Sequence, residues 1–197
     1  MFQNFENLWT PVVGLSALSN EPLAVEVAGE PVVVFRDGHG QYRALIDRCP
    51  HRTARLSLGQ IKEDGSLQCR YHGWRFAGDD GRCLRVPMND LPESARAKLA
   101  ATALPARALA GALWVFTGQA TDTEPALPPS LQGNPEGFGT DWQDWRAHWT
   151  RSQENFIDFA HLPYAHQGSI GFYSHEYAEG GGVPRTHIQE TDFGFSS

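Results

Sequence analysis

The chain has 197 residues, of which 41% are hydrophobic and 20% charged, a composition typical of a folded globular protein rather than a disordered one. The formal net charge is −7, so a broad nucleic-acid-binding surface is not expected. The charge is unevenly spread, because residues 1–117 carry 13 Lys and Arg against 12 Asp and Glu, whereas residues 118–197 carry 3 against 11. This difference predicts two regions with different roles.

The sequence also argues against a membrane-spanning protein and against a fold held together by disulfides. The longest apolar stretch, 99–116, is interrupted by Pro105 and Arg107, whereas a spanning helix needs about 20 apolar residues. The N-terminus has neither the basic start nor the apolar core of a signal peptide. Three cysteines cannot all pair with one another. We therefore expect a cytoplasmic protein without membrane or nucleic-acid partners, in which cysteine serves metal or thiol chemistry.

The first 117 residues read mainly as β-structure. Short runs rich in β-branched and aromatic residues alternate with Gly- and Asp-rich turns, a pattern that predicts a small antiparallel sandwich or barrel. The predicted strands are 23–27, 31–36, 42–47, 67–70, 74–77, 84–86 and 112–117. A helix is predicted over 92–100.

The composition changes after residue 117. Residues 118–140 are punctuated by Gly and Pro and predict a linker. The last region, 141–197, contains a helical candidate from about Arg151 to His166 and a strand candidate over 185–190. The predicted organisation is thus a β domain at 1–117, a linker at 118–140 and the start of a second domain at 141–197.

Two short Cys/His pairs lie where predicted strands give way to loops. The first is Cys49-Pro50-His51 and the second is Cys69-Arg70-Tyr71-His72, with 17 residues between His51 and Cys69. Two thiolates and two imidazoles suit either zinc or a [2Fe–2S] cluster with cysteines on one iron and histidines on the other. Structural zinc sites usually space their first pair by two to four residues, so a one-residue gap fits zinc less well. Zinc stays open as the rival.

The two pairs and their flanks resemble the Rieske iron–sulfur signature of Rieske non-haem iron oxygenases. The flanking matches are Leu56-Ser57-x-Gly59, Gly73-Trp74, Gly81-x-Cys83 and Val86-Pro87, while Arg70 stands where proline is common. The resemblance implies that Cys49 and Cys69 hold one iron and that His51 and His72 hold the other. Cys83 matches no ligand position and is interpreted as a buried thiol.

A second constellation comprises Asn155, Asp158, His161 and His166. On a regular helix Asp158 and His161 would lie about 60° apart, on one face. His161 and His166 would lie about 140° apart, so both could bind one metal only if the helix distorts or ends between them. Pro163 can provide that break.

The spacing N-x2-D-x2-H-x4-H resembles the mononuclear-iron motif of the same family, in its vanillate and dicamba demethylase branch. The resemblance implies that His161 and His166 bind Fe(II). It further implies that Asp158 links His161 to a cluster histidine of a neighbouring subunit, and that Asn155 supports this site. The implied fold of 141–197 is the truncated start of an α+β, helix-grip-like catalytic domain.

The family's third iron ligand is an aspartate more than a hundred residues beyond the second histidine, whereas 31 residues follow His166 here. We therefore expect an incomplete iron site in a truncated chain. The resemblance implies an oxygenase component that passes electrons from the cluster to Fe(II) for hydroxylation or demethylation of a small, aromatic substrate with O2. Its electrons would derive from NAD(P)H through a ferredoxin or reductase, and the full-length protein would be a homotrimer.

Two alternatives belong to other classes. A stand-alone Rieske electron-transfer protein needs only the first 117 residues, but it leaves Asn155–His166 unexplained. A structural zinc module would be colourless.

Two local features near the first constellation each keep two interpretations. Five arginines near the Cys/His pairs form either a docking surface for an acidic electron donor or a solvated basic rim. They are Arg48, Arg52, Arg55, Arg70 and Arg75. Trp74 either packs beside the metal loops or is an ordinary core aromatic.

Overall fold

A computed structural model describes residues 1–2, 4–118, 121–127, 132, 143, 145–171, 175, 178–181, 189–191 and 194–196. The chain forms two compact units, Met1–Trp142 and Gln143–Ser197. Most of the predicted linker at 118–140 and part of the strand candidate at 185–190 lie outside the described residues. The division into 1–117, 118–140 and 141–197 stays a prediction.

The first unit is built from antiparallel strands in three sheets within the described residues. In chain order these strands are Trp9–Gly14 (β1), Leu23–Val27 (β2), Glu30–Arg36 (β3), Tyr42–Ile46 (β4), Gln60–Ile61 (β5), Leu67–Gln68 (β6), Arg75–Phe76 (β7), Cys83–Arg85 (β8), Ala103–Leu104 (β9), Ala106–Leu109 (β10) and Ala112–Phe116 (β11). The sheets have the orders β2-β3-β4-β9, β1-β11-β10 and β5-β6-β7-β8. This arrangement confirms the mainly β prediction.

β3 is central to the core because both of its faces are buried. Val32 and Val34 point into one apolar cluster, shared with β11, while Val33 and Phe35 point into a second, shared with the β5–β8 sheet. All four are 0% exposed. Burying such side chains contributes roughly 1.5–3 kcal/mol each. The continuous apolar run of β3 therefore suits a strand with a partner layer on each side.

The turn between β2 and β3 has the chemistry that the sequence indicates. Val27 pairs with Glu30, leaving the two-residue loop Ala28-Gly29, and both loop residues have positive φ (48° and 79°). Two left-handed residues in succession match the twist of a tight hairpin.

Helical structure in the first unit is short. The predicted helix at 92–100 is found as the helix Glu93–Arg96 (α1) followed by the 3-10 turn Ala97–Leu99. Further 3-10 turns lie at Leu15–Ala17 and Leu56–Leu58.

The second unit departs from its sequence prediction. The helix expected from Arg151 to His166 is two helices, Trp149–Ile157 (α2) and Leu162–Ala165 (α3). The break therefore lies at 158–161, before the predicted place between His161 and His166. Pro163 does not end a helix, because it occupies the first turn of α3, where its missing N–H has no intrahelical partner to lose. Strands Gln189–Thr191 (β12) and Gly194–Ser196 (β13) pair as an antiparallel ribbon.

Within the part of the chain that the structure describes, there is no helix with the length and apolar character needed to cross a membrane.

Candidate metal centres

The loop after β4 closes on itself through the backbone of its first cysteine. Cys49 N–H donates to the carbonyl of Ala54 at 2.8 Å, and Thr53 N–H donates to the carbonyl of Cys49 at 2.8 Å. Thr53 has a φ of 55°, in the left-handed region that the reversal requires. We call residues 49–54 the first clip.

The loop between β6 and β7 repeats this frame. Cys69 N–H donates to the carbonyl of Trp74 at 2.8 Å, and Gly73 N–H donates to the carbonyl of Cys69 at 3.0 Å. Gly73 takes the position of Thr53, with a φ of 69°. Residues 69–74 are the second clip. Both clips thus present a cysteine in the same backbone setting, followed by a histidine.

The two clips bring all four predicted ligands of the first constellation together. The Cys49 and Cys69 thiols are each 2% exposed and belong to one apolar cluster. The His51 and His72 rings lie 4.7 Å apart, centroid to centroid, at an interplanar angle of 65°. Sulfur ligands therefore lie in the core and imidazoles at the surface. This donor set fits a [2Fe–2S] cluster in which each iron takes two like protein ligands.

Burial also sets the protonation of these groups in the metal-free chain. Burial, with a smaller contribution from the neighbouring Cys69 thiol, raises the pKa of Cys49 to about 11, although the N–H groups of His51 and Arg52 oppose the increase. Desolvation lowers the pKa of His51, and the positive charges of His72 and Arg52 lower it further. Metal binding must therefore displace thiol protons, whereas the His51 imidazole is already biased towards the neutral ligand form.

A buried carboxylate ties the ends of the first loop, a feature that sequence reasoning missed. The two Asp47 oxygens accept from Ser57 N–H and from Ser57 Oγ–H, both at 2.7 Å, and Asp47 is 3% exposed. The sequence carries a signal for this link, because Asp47 directly follows β4, two residues before Cys49, and Ser57 belongs to the flank Leu56-Ser57-x-Gly59. This link fixes where the first clip leaves the sheet.

Gly59 permits the stem of the first loop to approach the second clip. A Cβ at this position would lie 2.1 Å from the carbonyl oxygen of Gln68, the residue before Cys69. The φ of Gly59 is −86°, so the requirement is space rather than backbone conformation.

Trp74 does pack beside the metal loops. Its indole stacks on the His51 imidazole with centroids 4.4 Å apart and an interplanar angle of 4°.

The five arginines near the Cys/His pairs differ in whether they make an ion pair. Arg75 pairs with Asp64, whereas Arg48, Arg52, Arg55 and Arg70 are exposed and make no ion pair within the described residues. Cys83 is a free, buried thiol, as predicted, and its burial raises its pKa.

The second constellation gathers around α3. His161 and His166 flank this helix at its two ends, and their rings lie 5.4 Å apart, centroid to centroid. Asp158 caps the end of α2, with its Oδ2 3.7 Å from His161 Nδ1. His161 Nδ1 is buried and makes no hydrogen bond in the described part of the chain. The turn at 158–161, rather than a shared helix face, therefore brings these groups together.

Asn155 lies on α2, three residues before Asp158. It is exposed on α2, and the structure gives its side chain no hydrogen bond within the described residues. Its supporting role stays a prediction. Among the same residues, no three or more His, Cys, Asp or Glu side chains are placed to hold a single metal ion.

Comparison with known proteins agrees with the first constellation. The family model for the Rieske [2Fe-2S] domain matches residues 8–96, which include both clips. Protein TIC 55, chloroplastic, from Pisum sativum is 34% identical over 180 residues, or 89% of this chain and 32% of that protein. The oxygenase subunit of 5,5'-dehydrodivanillate O-demethylase from Sphingobium sp. is 28% identical, covering 95% of this chain and 45% of that protein. A crystal structure of dicamba monooxygenase bound to dicamba superposes with a TM-score of 0.72 at 28% identity, covering 83% of this chain and 48% of that one.

The first unit therefore contains a Rieske [2Fe–2S] domain. The chain as a whole is similar to the N-terminal portion of the alpha subunits of Rieske non-haem iron oxygenases. It spans only about a third to a half of the length of the three relatives just described.

Proposed function

We propose that this chain is the electron-receiving part of a Rieske oxygenase alpha subunit, with Cys49 and Cys69 on one iron of the cluster and His51 and His72 on the other. The observation that supports this most directly is the pair of matched clips, which place two thiols in the core and two imidazoles at the surface. When bound, the cluster would supply one-electron storage at a potential raised by imidazole ligation.

The chain's own residues perform three tasks at this centre. The core around Cys49 and Cys69 excludes water from the sulfur side. The backbone N–H groups of His51 and Arg52 act to lower the pKa of Cys49 and so favour its thiolate form. His72 is exposed and His51 only half-buried, so the imidazole side faces solvent and is the side that an electron-transfer partner can approach.

We further propose His161 and His166 as ligands of a mononuclear Fe(II), where O2 would be activated. Two imidazoles flanking one short helix match the histidine part of a two-His, one-carboxylate site. Asp158 beside His161 Nδ1 would orient that ring and leave its other nitrogen for the metal. Asp158 would also link His161 to a cluster histidine of a neighbouring subunit in a homotrimer, and Asn155 would support this site.

We propose the substrate class and partners of the whole protein from the names of its relatives. Relatives named as an O-demethylase oxygenase subunit, a chlorobenzoate dioxygenase subunit and an N-alkylformylase favour hydroxylation or demethylation of a small, aromatic compound. NAD(P)H would supply electrons through a ferredoxin or reductase. A cytoplasmic location stays a prediction, since several of the chain's relatives are chloroplast proteins.

Spectroscopy and metal content of the full 197-residue chain test these proposals. We expect a red-brown protein that gives a Rieske-type EPR signal on reduction. A colourless protein containing zinc would contradict the cluster. About three irons per chain would support cluster and mononuclear site together, since the latter adds one iron to the pair in the cluster.

A stand-alone electron carrier is the second candidate, because the Rieske model matches only residues 8–96. About two irons per chain, unchanged when His161 and His166 are both replaced by Ala, would favour either the carrier or an oxygenase whose mononuclear site lacks its third ligand, whereas about three irons would exclude the carrier.

A further inference from the structure

Each imidazole of the Rieske centre has an aromatic neighbour, but the two neighbours differ in kind. Tyr71 precedes His72 in the same clip, is tilted by 41° against it and is 59% exposed. Trp74 reaches His51 from the opposite clip, lies parallel to it and is half-buried against the core beside Phe76. The His51–Trp74 stack therefore joins the two clips, whereas the Tyr71–His72 contact does not.

We propose that Trp74 is a positioning residue for His51: its indole holds the plane of the imidazole and covers one face of it against water. This inference rests on the proposed ligation of the cluster by His51. It assigns no such role to Tyr71. That exposed ring belongs to the same loop as His72, so it does not restrain His72 from a second loop.

Anchoring explains why Trp74 can act in this way. Its backbone carbonyl accepts the N–H that closes the second clip, and its side chain packs against the apolar cluster that contains both cysteines. Rotation of the His51 ring out of the parallel stack would need the indole to move out of that packing. A ring held on one face has fewer orientations to lose when it binds a metal.

The stack also affects which charge state of a bound cluster is favoured. The negative face of an indole favours positive charge on the ring above it, and exclusion of water disfavours additional negative charge. A reduced cluster carries one more negative charge than an oxidised one. Both effects therefore favour the oxidised form and lower the reduction potential, so removing the indole should raise it.

The test replaces Trp74 by Leu in the 197-residue chain, with Trp74→Phe as the conservative variant and Phe76→Leu as the matched control. Phe76 is fully buried in the same apolar cluster, so its truncation loosens the core without removing a ring from His51. The measurements are the EPR line shape of the reduced protein, its midpoint potential, the rate of iron release to a chelator and the melting temperature.

We expect Trp74→Leu to broaden the EPR lines, to move the midpoint potential to a more positive value and to release iron roughly tenfold faster, the size seen for residues that orient metal ligands. Trp74→Phe should restore most of each property. Phe76→Leu and Tyr71→Leu should leave the line shape and the potential as in the unmodified chain, although Phe76→Leu lowers the melting temperature.

Equal behaviour of Trp74→Leu and Phe76→Leu in line shape and potential would overturn the proposal, because Trp74 would then be only a core aromatic. Should Trp74→Leu not fold, Trp74→Met fills more of the same volume without a ring face and carries the same expectation. An unmodified chain without a Rieske signal would overturn the cluster assignment and this inference together. A normal signal with unchanged Trp74 variants would overturn the inference alone.

Discussion

The Rieske loops and the segment around α3 hold their candidate ligands by different means. The cysteines of the clips are members of the apolar core, and the backbone of each clip closes through two hydrogen bonds of its own. By contrast, α2 buries no residue, and Phe156, Ile157 and Phe159 are 48–66% exposed. A helix without a buried face gains little from tertiary packing.

This difference teaches where each site's geometry originates. The Rieske centre is organised by the same packing that stabilises the first unit, so damage to its ligands and damage to the fold are separable only with matched controls. The geometry around His161 and His166 depends on one turn and one short helix. Substitutions should therefore have large effects in the clips and small effects in the second unit.

The largest expected effect is complete loss of the cluster on replacing a sulfur ligand. Cys49→Ala and Cys69→Ala should each abolish the red-brown colour and the EPR signal, because one iron loses half of its protein ligands. Cys83→Ala removes a thiol from the same apolar cluster and should keep both. His161→Ala and His166→Ala should also keep the signal. Loss of the signal in Cys83→Ala would mean that core packing, not ligation, is being measured.

The next largest difference is expected between two glycine-to-alanine substitutions, one in each unit. Gly59→Ala places a Cβ 2.1 Å from the Gln68 carbonyl, and we expect it to lower the free energy of unfolding by about 3 kcal/mol. Gly168→Ala meets no atom within 4 Å and should change it by less than about 0.5 kcal/mol. Urea denaturation of both variants measures the difference. Similar stability of the two proteins would contradict the close approach of loop and clip.

A buried carboxylate in the first unit predicts a pH dependence. Burial acts to raise the pKa of Asp37, but hydrogen bonds from Gln41, Arg43 and His39 outweigh it, so the pKa lies below its ordinary value of 3.8. A carboxyl with a lower pKa in the folded state stabilises the fold above its ordinary pKa, and this contribution is lost as the pH falls through the folded value. Asp37→Asn should therefore reduce stability by about 1–2 kcal/mol at pH 7.

The difference between Asp37→Asn and the unmodified chain should shrink as the pH falls below about 4, because the native carboxyl is then protonated as well. Urea midpoints measured between pH 7 and pH 3 give the comparison. A difference that grows towards acid would contradict the assigned sign.

If the exposed arginines dock an acidic electron donor, reversing their charge should change the rate of cluster reduction about tenfold. Arg52→Glu reverses an exposed charge in the first clip and Arg55→Glu one directly after it. Each should slow reduction of the cluster by a reduced acidic [2Fe–2S] ferredoxin, most strongly at low salt. Arg146→Glu changes an exposed charge in the second unit by the same amount and serves as the control. Rates that are equal in all three variants would favour the solvated basic rim.

The smallest effect is expected for the surface ion pair of α2. Arg151 Nη1 and Glu154 Oε2 lie 2.6 Å apart, but their side chains are 73% and 58% exposed. Glu154→Gln should therefore change the free energy of unfolding by no more than about 0.5 kcal/mol. A loss above about 1 kcal/mol in urea denaturation would show that α2 is more strongly coupled to its surroundings than its exposure indicates.

Strands that carry their own signal were predictable, and those defined by a distant partner were not. The apolar run of β3 and the aromatic-rich β11 indicate strands locally. β1 contains Pro11, and half of the residues of β9 and β10 are alanine, so none of them reads as a strand. β1 pairs with β11 and β9 pairs with β4 across long sequence separations, whereas β10 forms a hairpin with the following strand, β11.

The candidate sites also contain features that the sequence predicts and features that it does not. Residue types and spacings predicted which cysteines and histidines to consider, but the stack of Trp74 on His51 joins two loops and has no local signature. The helix break was placed wrongly because the Asp158 carboxylate accepts the N–H of Ala160 at 3.0 Å, a local hydrogen bond that competes with helix continuation. Proline was the more conspicuous residue, yet the aspartate marks the break.

The shared frame of the two clips has a consequence for protein engineering. Each is a six-residue insert whose reversal depends on its own backbone and on one left-handed residue, while its histidine stands two positions after the cysteine in one clip and three in the other. Side-chain spacing is thus independent of the frame that displays it. Two such inserts could be grafted onto neighbouring β-turns of an unrelated protein whose core is apolar beneath those turns. They are the smallest segments that would transfer a set of two cysteines and two histidines.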